Sequence, residues 1–595
     1  MSLQFITGNS GNGKTKYLFN RIVKEAKANP RDNYLVIVPE QFTMQTQRQL
    51  VDLSENKAIM NIDVLSFKRL AYRVFDELGI TNLTVLEETG KNLVLRKLAA
   101  QEADKLGVIG RNLNRIGYIS EVKSLLSELV QYNISPEELG RYIASGMLSD
   151  TLSDKLKDVL VLYEAFEKFM QDKYITAEEI LNVLSNVAEE SAILRNSVIA
   201  FDEFTGFTPI QNQLIKKLFV ISKKIYVTLT IDCREDIFKS RGMQELFDMP
   251  KRTVKSLTEM AAFYGIEVEE PIILDKNYRL AENEELSFME QQLFRKRRCS
   301  FKKAPKHIHI DCLRDPKQEL TKIARRINEL VRNENLRYRD IAIVTGDVNI
   351  YAGYVREIFD KYNIPYFIDA TQEILFHPFI EFIRSIPDIA AQNFSADAVF
   401  RFLRCGFSEL LDSEIDVLEN YVLACGVRGK SAWDKKWVRL PKHKAGYDIE
   451  LLNQSREYIM ELLKPVYQVF SDKKSTVKDY VLAIYKLIVL LDIPDKLAKK
   501  EQALLDAGDQ TASKEYGQIY KIVMQLFEKY VAVLGDECMD AEEFTQILDA
   551  GLDAADVAVI PPGYDTVTIG DIERTRLTNI KVMFFAGVND GIVPK

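Results

Sequence analysis

A glycine-rich stretch near the start of the chain constrains its fold more than any other feature. Residues 3–7 (LQFIT) are an apolar run, residues 8–15 read GNSGNGKT, and apolar residues then recur at helical spacing from Tyr17 to Val23. A strand, a glycine loop and a helix in this order match the GxxxxGK[ST] pattern, in which backbone N–H groups and a helix N-terminus surround phosphate. The sequence therefore predicts an α/β fold of the P-loop nucleoside-triphosphatase type.

The residues of this loop have expected roles in binding ATP and Mg²⁺, the two cofactors that the pattern implies. Lys14 is expected to reach the β- and γ-phosphates, and the Thr15 hydroxyl is expected to bind the metal. The residues expected to surround the phosphates are Gly8, Asn9, Ser10, Gly11, Asn12 and Gly13, together with Lys14 and Thr15.

An acidic pair follows a second apolar run. Residues 198–201 form this run and lead into Asp202 and Glu203. Next to a P-loop, such a pair binds Mg²⁺ and activates the attacking water, so Asp202 is expected to bind the metal and Glu203 to act as the catalytic base. The alternative is that the two acids only cap a strand. The long, mostly helical stretch between the two motifs indicates an insertion.

The composition narrows the class of protein. Of 595 residues, 47% are hydrophobic and 28% charged, and the net charge is −8, so any DNA binding would need a local basic surface. No apolar run approaches the roughly 18 residues of a membrane span, and the first residues lack the pattern of a signal peptide. Six dispersed cysteines and four histidines show no metal-ligand spacing. A cytoplasmic protein without membrane association is expected.

The order of motifs resembles that of a UvrD-type superfamily 1 DNA helicase. After the P-loop pattern come SFKRLAYR (66–73), DEF (202–204) and LDKNYR (274–279). Longer stretches are similar to the AddB (RexB) family, the B subunits of ATP-dependent helicase/deoxyribonucleases. These stretches are VIVPEQFT (36–43), DEFTGFTPIQ (202–211), residues 338–369, HPFIEFIRS (377–385) and residues 567–594.

This resemblance implies several properties that the residues alone do not establish. It implies two RecA-like parallel-sheet cores, a heterodimer with an A subunit, and action on single-stranded DNA and duplex ends in the repair of double-strand breaks by homologous recombination. It assigns Arg279 to the γ-phosphate across a domain cleft, although an ordinary surface arginine is the alternative. It places Phe42, Ser66 and Phe67 along a single-strand channel, although Phe67 fits a core position equally well.

The sequence also departs from the family pattern. TIDCRED (230–236) lacks the glutamine that links the γ-phosphate to DNA, and no residues before Gly8 match the glutamine motif that reads adenine. The last arginine motif and the nuclease domain with its iron–sulfur cluster would lie beyond Lys595, so an N-terminal fragment is expected. Two functions stay open: a motor subunit, and a scaffold that scans single-stranded DNA with an idle or regulatory ATP site. A P-loop enzyme unrelated to DNA fits the motifs poorly.

Two basic stretches are candidate DNA contacts. Residues 295–306 (RKRRCSFKKAPK) fit a phosphate-binding loop or a solvated linker. Residues 427–444 combine basic residues with Trp433 and Trp437, which would share one helical face. Such tryptophans suit stacking on unpaired bases, and a helix buried by its tryptophans is the alternative.

Four regions are predicted. The first RecA-like core comprises residues 1–85 and 196–275, with a helical insertion at 86–195. The second core comprises residues 276–370 and 561–595, begins with strands at HIHID (307–311) and DIAIVTG (340–346), and has a helical insertion at 371–560. Residues 497–517 are expected to form a flexible connector.

Overall fold

The computed structural model describes residues 1–595 except 81–84, 87, 108–117, 147, 171–173, 241, 294, 296–298, 370, 371, 375, 442–446, 508, 554, 555, 558–564, 574, 576, 578, 594 and 595. It contains parallel sheets and many helices, which confirms the predicted α/β class. None of the helices in this described part has the length and apolar character needed to cross a membrane.

The strands are β1 (Ser2–Gly8), β2 (Tyr34–Ile37), β3 (Ile62–Leu65), β4 (Val85–Leu86), β5 (Ile175–Thr176), β6 (Val198–Phe201), β7 (Lys224–Thr230), β8 (Glu267–Val268), β9 (Ile272–Leu274), β10 (Ile341–Thr345), β11 (Tyr366–Ile368), β12 (Gln372–Glu373), β13 (Asp556–Val557), β14 (Val567–Asp571) and β15 (Val582–Ala586). The helices are α1 (Lys14–Ala28), α2 (Thr43–Leu53), α3 (Phe67–Leu78), α4 (Glu88–Gln101), α5 (Tyr118–Gln131), α6 (Pro136–Ala144), α7 (Asp150–Met170), α8 (Ile180–Val187), α9 (Pro209–Ile221), α10 (Asp248–Phe263), α11 (Glu284–Gln292), α12 (Pro316–Asn333), α13 (Val348–Lys361), α14 (Pro378–Ala391), α15 (Ala396–Leu403), α16 (Asp412–Cys425), α17 (Lys430–Asp434), α18 (Ile449–Ser471), α19 (Val477–Leu490), α20 (Ile493–Asp506), α21 (Gln510–Leu534) and α22 (Ala541–Asp553).

The chain divides into two compact units. One comprises Met1–Leu86, Ser124–Ser153 and Glu167–Cys312, and the other comprises Glu87–Lys123, Asp154–Phe166 and Leu313–Lys595. The first unit contains a parallel sheet in the order β3-β2-β6-β7-β1, with β8 and β9 both pairing with the free side of β1. The carboxyl ends of β1, β7 and β6 therefore lie side by side along one edge of this sheet.

Local sequence explains the elements that flank this edge. Strand β1 is almost entirely buried, and α1 turns Leu18, Phe19 and Ile22 toward the sheet. Helix α9 begins with a capping box, in which Thr208 accepts from the Gln211 N–H and the Gln211 side chain accepts from the Thr208 N–H. This capping box fixes the residue at which α9 begins after the acidic pair.

The second unit has a smaller parallel sheet and a large helical core. The sheet has the order β11-β14-β10-β15, and α12 and α13 pack against it. The helical core combines buried residues of α14 to α22 with Leu93 of α4. Helix α4 is also held there by Arg96, whose guanidinium donates to the backbone and the side chain of Gln546.

Two local predictions are wrong. Residues 307–311 are not a strand, because Lys306 and His307 donate their N–H groups to the buried carboxylate of Glu285, and Ile310 stays exposed. The connector predicted at 497–517 lies mostly within α20 and α21, which pack against each other. Its alanine and lysine residues favour helix, and Leu497 at its start and Ile519 just after its end are buried in the helical core.

Candidate nucleotide-binding site

The glycine loop, residues 8–15, connects β1 to α1. Gly13 stands at the N-cap of α1 with φ 78°, and no side chain caps the helix. The first N–H groups of a helix lack partners within the helix and carry partial positive charge. A left-handed residue at this N-cap therefore leaves these donors available to an anion.

Lys14 is folded back over the loop. Its ammonium donates to the carbonyl oxygens of Gly8 and Asn9, each at 3.0 Å. Burial lowers the pKa of Lys14 to about 8, although the negative charges of Glu203 and Asp202 oppose this shift. A desolvated ammonium that donates to two neutral carbonyls is stabilised further when an anion becomes its partner.

Thr15, Asp202 and Glu203 meet at the edge of the sheet. The Thr15 hydroxyl lies 3.3 Å from Oδ1 of Asp202 and 3.4 Å from Oε1 of Glu203. Thr228, on the intervening strand β7, donates to the same Asp202 oxygen. Asp202 is buried and Glu203 is exposed, so one carboxylate is fixed and the other faces the loop mouth.

Glu203 has an unusual backbone. Its φ is 67°, in the left-handed region that a non-glycine residue adopts at a cost of about 1 kcal/mol or more. Four phenylalanine rings pack on one another beside it, with centroid separations between 5.2 and 6.3 Å. These rings belong to Phe67, Phe201, Phe204 and Phe207. The aromatic cluster holds both sides of the acidic pair and so maintains the strained turn.

These oxygen ligands fit Mg²⁺, which usually takes one or two protein carboxylates and keeps its other positions for water and substrate phosphate. The hydroxyl of Thr15 and the carboxylate of Asp202 supply such a set, open toward the glycine loop. Within the described residues, histidine, cysteine and acidic side chains form no group of three that could hold a metal. The oxygens of Thr15 and Asp202 fit a metal whose other positions are filled by water and phosphate.

A segment with the sequence NYR lies directly on the glycine loop and in the same compact unit. The N–H groups of Tyr278 and Arg279 donate to Gly11 O at 3.0 and 3.3 Å, and the Asn277 amide donates to Ser10 O at 3.0 Å. Gly11 must be glycine, because its φ is 89° and a Cβ there would lie 2.9 Å from that of Arg279. Arg279 therefore lies at the loop within one compact unit, rather than across a domain cleft, and its side chain is exposed.

Asn9 ties the loop to two further elements. Its side-chain oxygen accepts from the Cys233 N–H at 2.9 Å, and its amide nitrogen donates to Oε1 of Glu290 at 2.8 Å. Asn12 donates to Leu274 O at 2.5 Å. Both asparagine side chains are buried, so their hydrogen bonds fix the loop on its buried side.

In residues 230–236, where the family resemblance would place a glutamine, the structure has a cluster of ion pairs. Asp232 accepts from Arg234 at 2.6 Å and from Arg295 at 2.9 Å. Burial alone would raise the pKa of Asp232, but hydrogen bonds and charges of the two arginines lower it to about 2. Arg295, the first residue of the basic stretch 295–306, is therefore a structural anchor; Lys296, Arg297 and Arg298 lie outside the described residues.

The residues expected along a DNA channel lie in α3 and just before α2. Phe42 is half-buried in a short 3-10 helix, and Ser66 accepts from the Arg69 N–H as the N-cap of α3. Phe67 is 7% exposed and belongs to the phenylalanine cluster, which is the core alternative for this residue.

The tryptophan pair also lies in a core. Trp433 is fully buried and Trp437 is 7% exposed, with their rings 5.3 Å apart. The prediction that the two tryptophans share one helical face is wrong. Helix α17 ends at Asp434, and Trp437 follows it in an extended segment that is hydrogen-bonded to Asn453. The DNA-stacking interpretation is therefore corrected to the buried alternative, since neither ring presents a face to a base.

Several residues of the site were not singled out from the sequence. Thr228 is a polar residue inside an apolar strand, and Asn277 and Tyr278 adjoin Arg279 in its motif, so local signals existed for these three. Glu290 gives no such signal, because it is one of three acidic residues on α11 and only the tertiary fold brings it to Asn9.

Comparisons with known proteins agree with the family resemblance. Residues 5–290 match the family model described as "ADDB, N-terminal". A protein of Lachnoclostridium phytofermentans, named as the B subunit of an ATP-dependent helicase/deoxyribonuclease, is 40% identical over 605 residues, covering 100% of this chain and 52% of the relative. Proteins of the same name from Clostridium acetobutylicum and Clostridioides difficile are 32% and 30% identical, with the same coverage. The chain thus spans about half the length of the curated relatives it matches.

Proposed function

Because this chain belongs to the AddB family, we propose that it is an ATP- and DNA-binding subunit of a heterodimeric helicase–nuclease that processes double-strand DNA breaks for recombination repair. An uncapped helix N-terminus, Lys14 and the Thr15–Asp202–Glu203 group meet at the carboxyl ends of neighbouring parallel strands, and this observation carries the proposal. The proposal also includes a P-loop fold with RecA-like cores, an A subunit as the partner, and a cytoplasmic location.

Each side chain has a role in this proposal. The N–H groups of the glycine loop hold the phosphates, and Lys14 exchanges its two carbonyl partners for phosphate oxygens. Mg²⁺ held by Thr15 and Asp202 supplies neutralisation of charge on the phosphates. Glu203 accepts a proton from the attacking water, and Arg279 offsets charge that develops during transfer. The exposed ring of Tyr278, beside Gly13, offers a face for the base.

A second function is favoured by one specific observation. Asp232 and its two arginines occupy the position where a glutamine would link the γ-phosphate to DNA, and this cluster is closed on itself by ion pairs. A chain that binds nucleotide without that link would hold and scan single-stranded DNA, and its ATP site would be idle or regulatory. Both functions include nucleotide binding at the glycine loop.

Binding of a single-strand-tailed duplex separates the two functions. Fluorescence anisotropy would be measured at two salt concentrations, with and without a non-hydrolysable ATP analogue. Lys14→Ala removes the phosphate ligand, and Lys16→Ala, an exposed lysine on the same helix, is the matched control.

A nucleotide-dependent change in DNA affinity that Lys14→Ala abolishes and Lys16→Ala retains would support the motor function. Salt-dependent DNA binding that ignores nucleotide would support the scaffold. Nucleotide binding without DNA binding at low salt would contradict the DNA-binding part. Equal nucleotide binding by the wild type and Lys14→Ala would contradict the proposed nucleotide site.

A further inference from the structure

A carboxylate outside the acidic pair faces the glycine loop. Glu290 of α11 is half-buried and accepts from the Asn9 amide at 2.8 Å. The ammonium of Lys14, which is proposed to bind the outer phosphates, donates to the backbone oxygen of the same Asn9 at 3.0 Å. The carboxylate of Glu290 and the ammonium of Lys14 are therefore both bound to one residue of the loop.

The orientation of Asn9 keeps Glu290 in this position. Its side-chain oxygen accepts from the N–H of Cys233, which cannot serve as an acceptor, so its NH₂ group must point to Glu290. Asn9 is 5% exposed, and its backbone oxygen also accepts from Lys14. The contact between Glu290 and the loop is thus built into the loop itself.

Helix α11 is fastened at both ends. Near its start, Glu285 accepts from the N–H groups of Lys306 and His307 at 2.7 and 2.9 Å. Near its end, Arg234 donates to Gln291 O at 3.1 Å, and Arg295 is bound to Asp232. These contacts prevent the helix backbone from carrying Glu290 away when an anion enters the loop.

We propose that Glu290 is a specificity-determining residue, whose fixed negative charge opposes the terminal phosphate and shifts the preference of the site from ATP toward ADP. This inference rests on the proposed function, because it requires a nucleotide at the glycine loop. ATP carries a further charged phosphate, which Lys14 must hold while the carboxylate of Glu290 stays bound to Asn9, the residue that also accepts from Lys14. Repulsion from Glu290 therefore acts more strongly on the triphosphate than on the diphosphate.

The test compares the dissociation constants of ADP and of a non-hydrolysable ATP analogue by titration calorimetry, with Mg²⁺ at low ionic strength. Glu290→Gln keeps an acceptor for Asn9 and removes the charge, whereas Glu290→Asp keeps the charge. Glu282→Gln removes an exposed charge from the segment before α11 and is the matched control.

Glu290→Gln is expected to tighten binding of the analogue about fivefold relative to ADP, and the other two variants are expected to keep the wild-type ratio. An unchanged ratio in Glu290→Gln, or the same change in Glu290→Asp, would overturn the inference. Failure of the wild type to bind either nucleotide would instead overturn the proposed nucleotide site.

Discussion

The hydroxyl of Thr15 lies 3.3 Å from a carboxylate oxygen of Asp202, although 187 residues separate them in the chain. The parallel strands β1 and β6 end at the same edge of the sheet, with β7 between them. Thr228 of that intervening strand donates to the same oxygen of Asp202. The two sequence motifs thus form one site because the sheet aligns their carboxyl ends.

Replacement of Asp202 by asparagine tests the metal assignment. The side chain is 1% exposed, and asparagine has nearly the same shape but lacks the negative charge that Mg²⁺ requires. We expect the Mg²⁺-dependent gain in nucleotide affinity to fall at least about tenfold. Calorimetric titrations with Mg²⁺ and with chelator would measure it. Asp63→Asn, on β3 of the same sheet, should keep the gain, and an unchanged gain in Asp202→Asn would exclude this carboxylate as a ligand.

The left-handed backbone of Glu203 predicts an unusual order of variant stabilities. Because φ is 67°, glycine at this position should be more stable than alanine by about 1 kcal/mol in free energy of unfolding. Any ATP hydrolysis by the chain should fall by about 100-fold or more in both variants. Denaturant unfolding and phosphate release measure the two effects.

Glu189, in a short 3-10 helix, provides the control. There the glycine variant should be less stable than the alanine variant, because glycine loses more backbone entropy. If alanine were also the more stable replacement at Glu203, the strain assigned to this turn would be wrong.

The pKa of Lys14, lowered by burial to about 8, predicts how nucleotide affinity depends on pH. Bound phosphate favours the charged ammonium, so the pKa rises on binding and affinity is full below pH 8. Affinity should then fall by about tenfold for each unit above pH 8, up to the pKa of the complex. Lys14→Arg stays charged throughout this range and should give a flat profile, whereas a flat wild-type profile would contradict the prediction.

The parts of the site that sequence predicts are those in which a few consecutive residues carry the geometry. GNSGNGKT specifies its own turn and helix start, and the acidic pair follows its own strand. Glu290 and Thr228 could not be assigned in this way, because their roles depend on which elements are neighbours in the sheet and on how α11 is anchored.

The errors have a related cause. Residues 307–311 alternate as a strand does, but the carboxylate of Glu285 takes the N–H groups at the start of this segment. Trp433 lies among cations in the sequence, yet its ring packs against Phe394 and Phe400, and Lys430 pairs with Asp434. Charge near an aromatic residue in sequence does not determine which side of the chain faces solvent.

His377 predicts a loss of stability in acid. Its Nδ1 accepts from the Phe379 N–H at 3.1 Å as the N-cap of α14, and burial lowers its pKa from 6.5 to about 4. Since the folded pKa lies below the unfolded one, its contribution is complete above pH 6.5 and is lost as pH falls toward 4. The loss should be on the order of 3 kcal/mol in free energy of unfolding.

His377→Asn keeps a good N-cap and does not titrate, so unfolding by urea at a series of pH values should show a shallower acid slope in this variant. His307 is the control, since it lies outside that core, and His307→Asn should keep the wild-type slope. An equal slope in the wild type and His377→Asn would remove the histidine as a source of acid sensitivity.

Because both tryptophans are buried, we expect their fluorescence not to respond to DNA binding. Trp433 is fully buried, and the Trp437 indole donates to Ala432 O at 3.0 Å, so emission should be blue-shifted and resist iodide quenching. Addition of single-stranded DNA should leave the spectrum unchanged. Trp433→Ala should lower the free energy of unfolding by about 3 to 5 kcal/mol, whereas Tyr132→Ala, which removes an exposed ring, should change it little. Quenching of either tryptophan by DNA in the folded wild type would return the pair to the candidate DNA contacts.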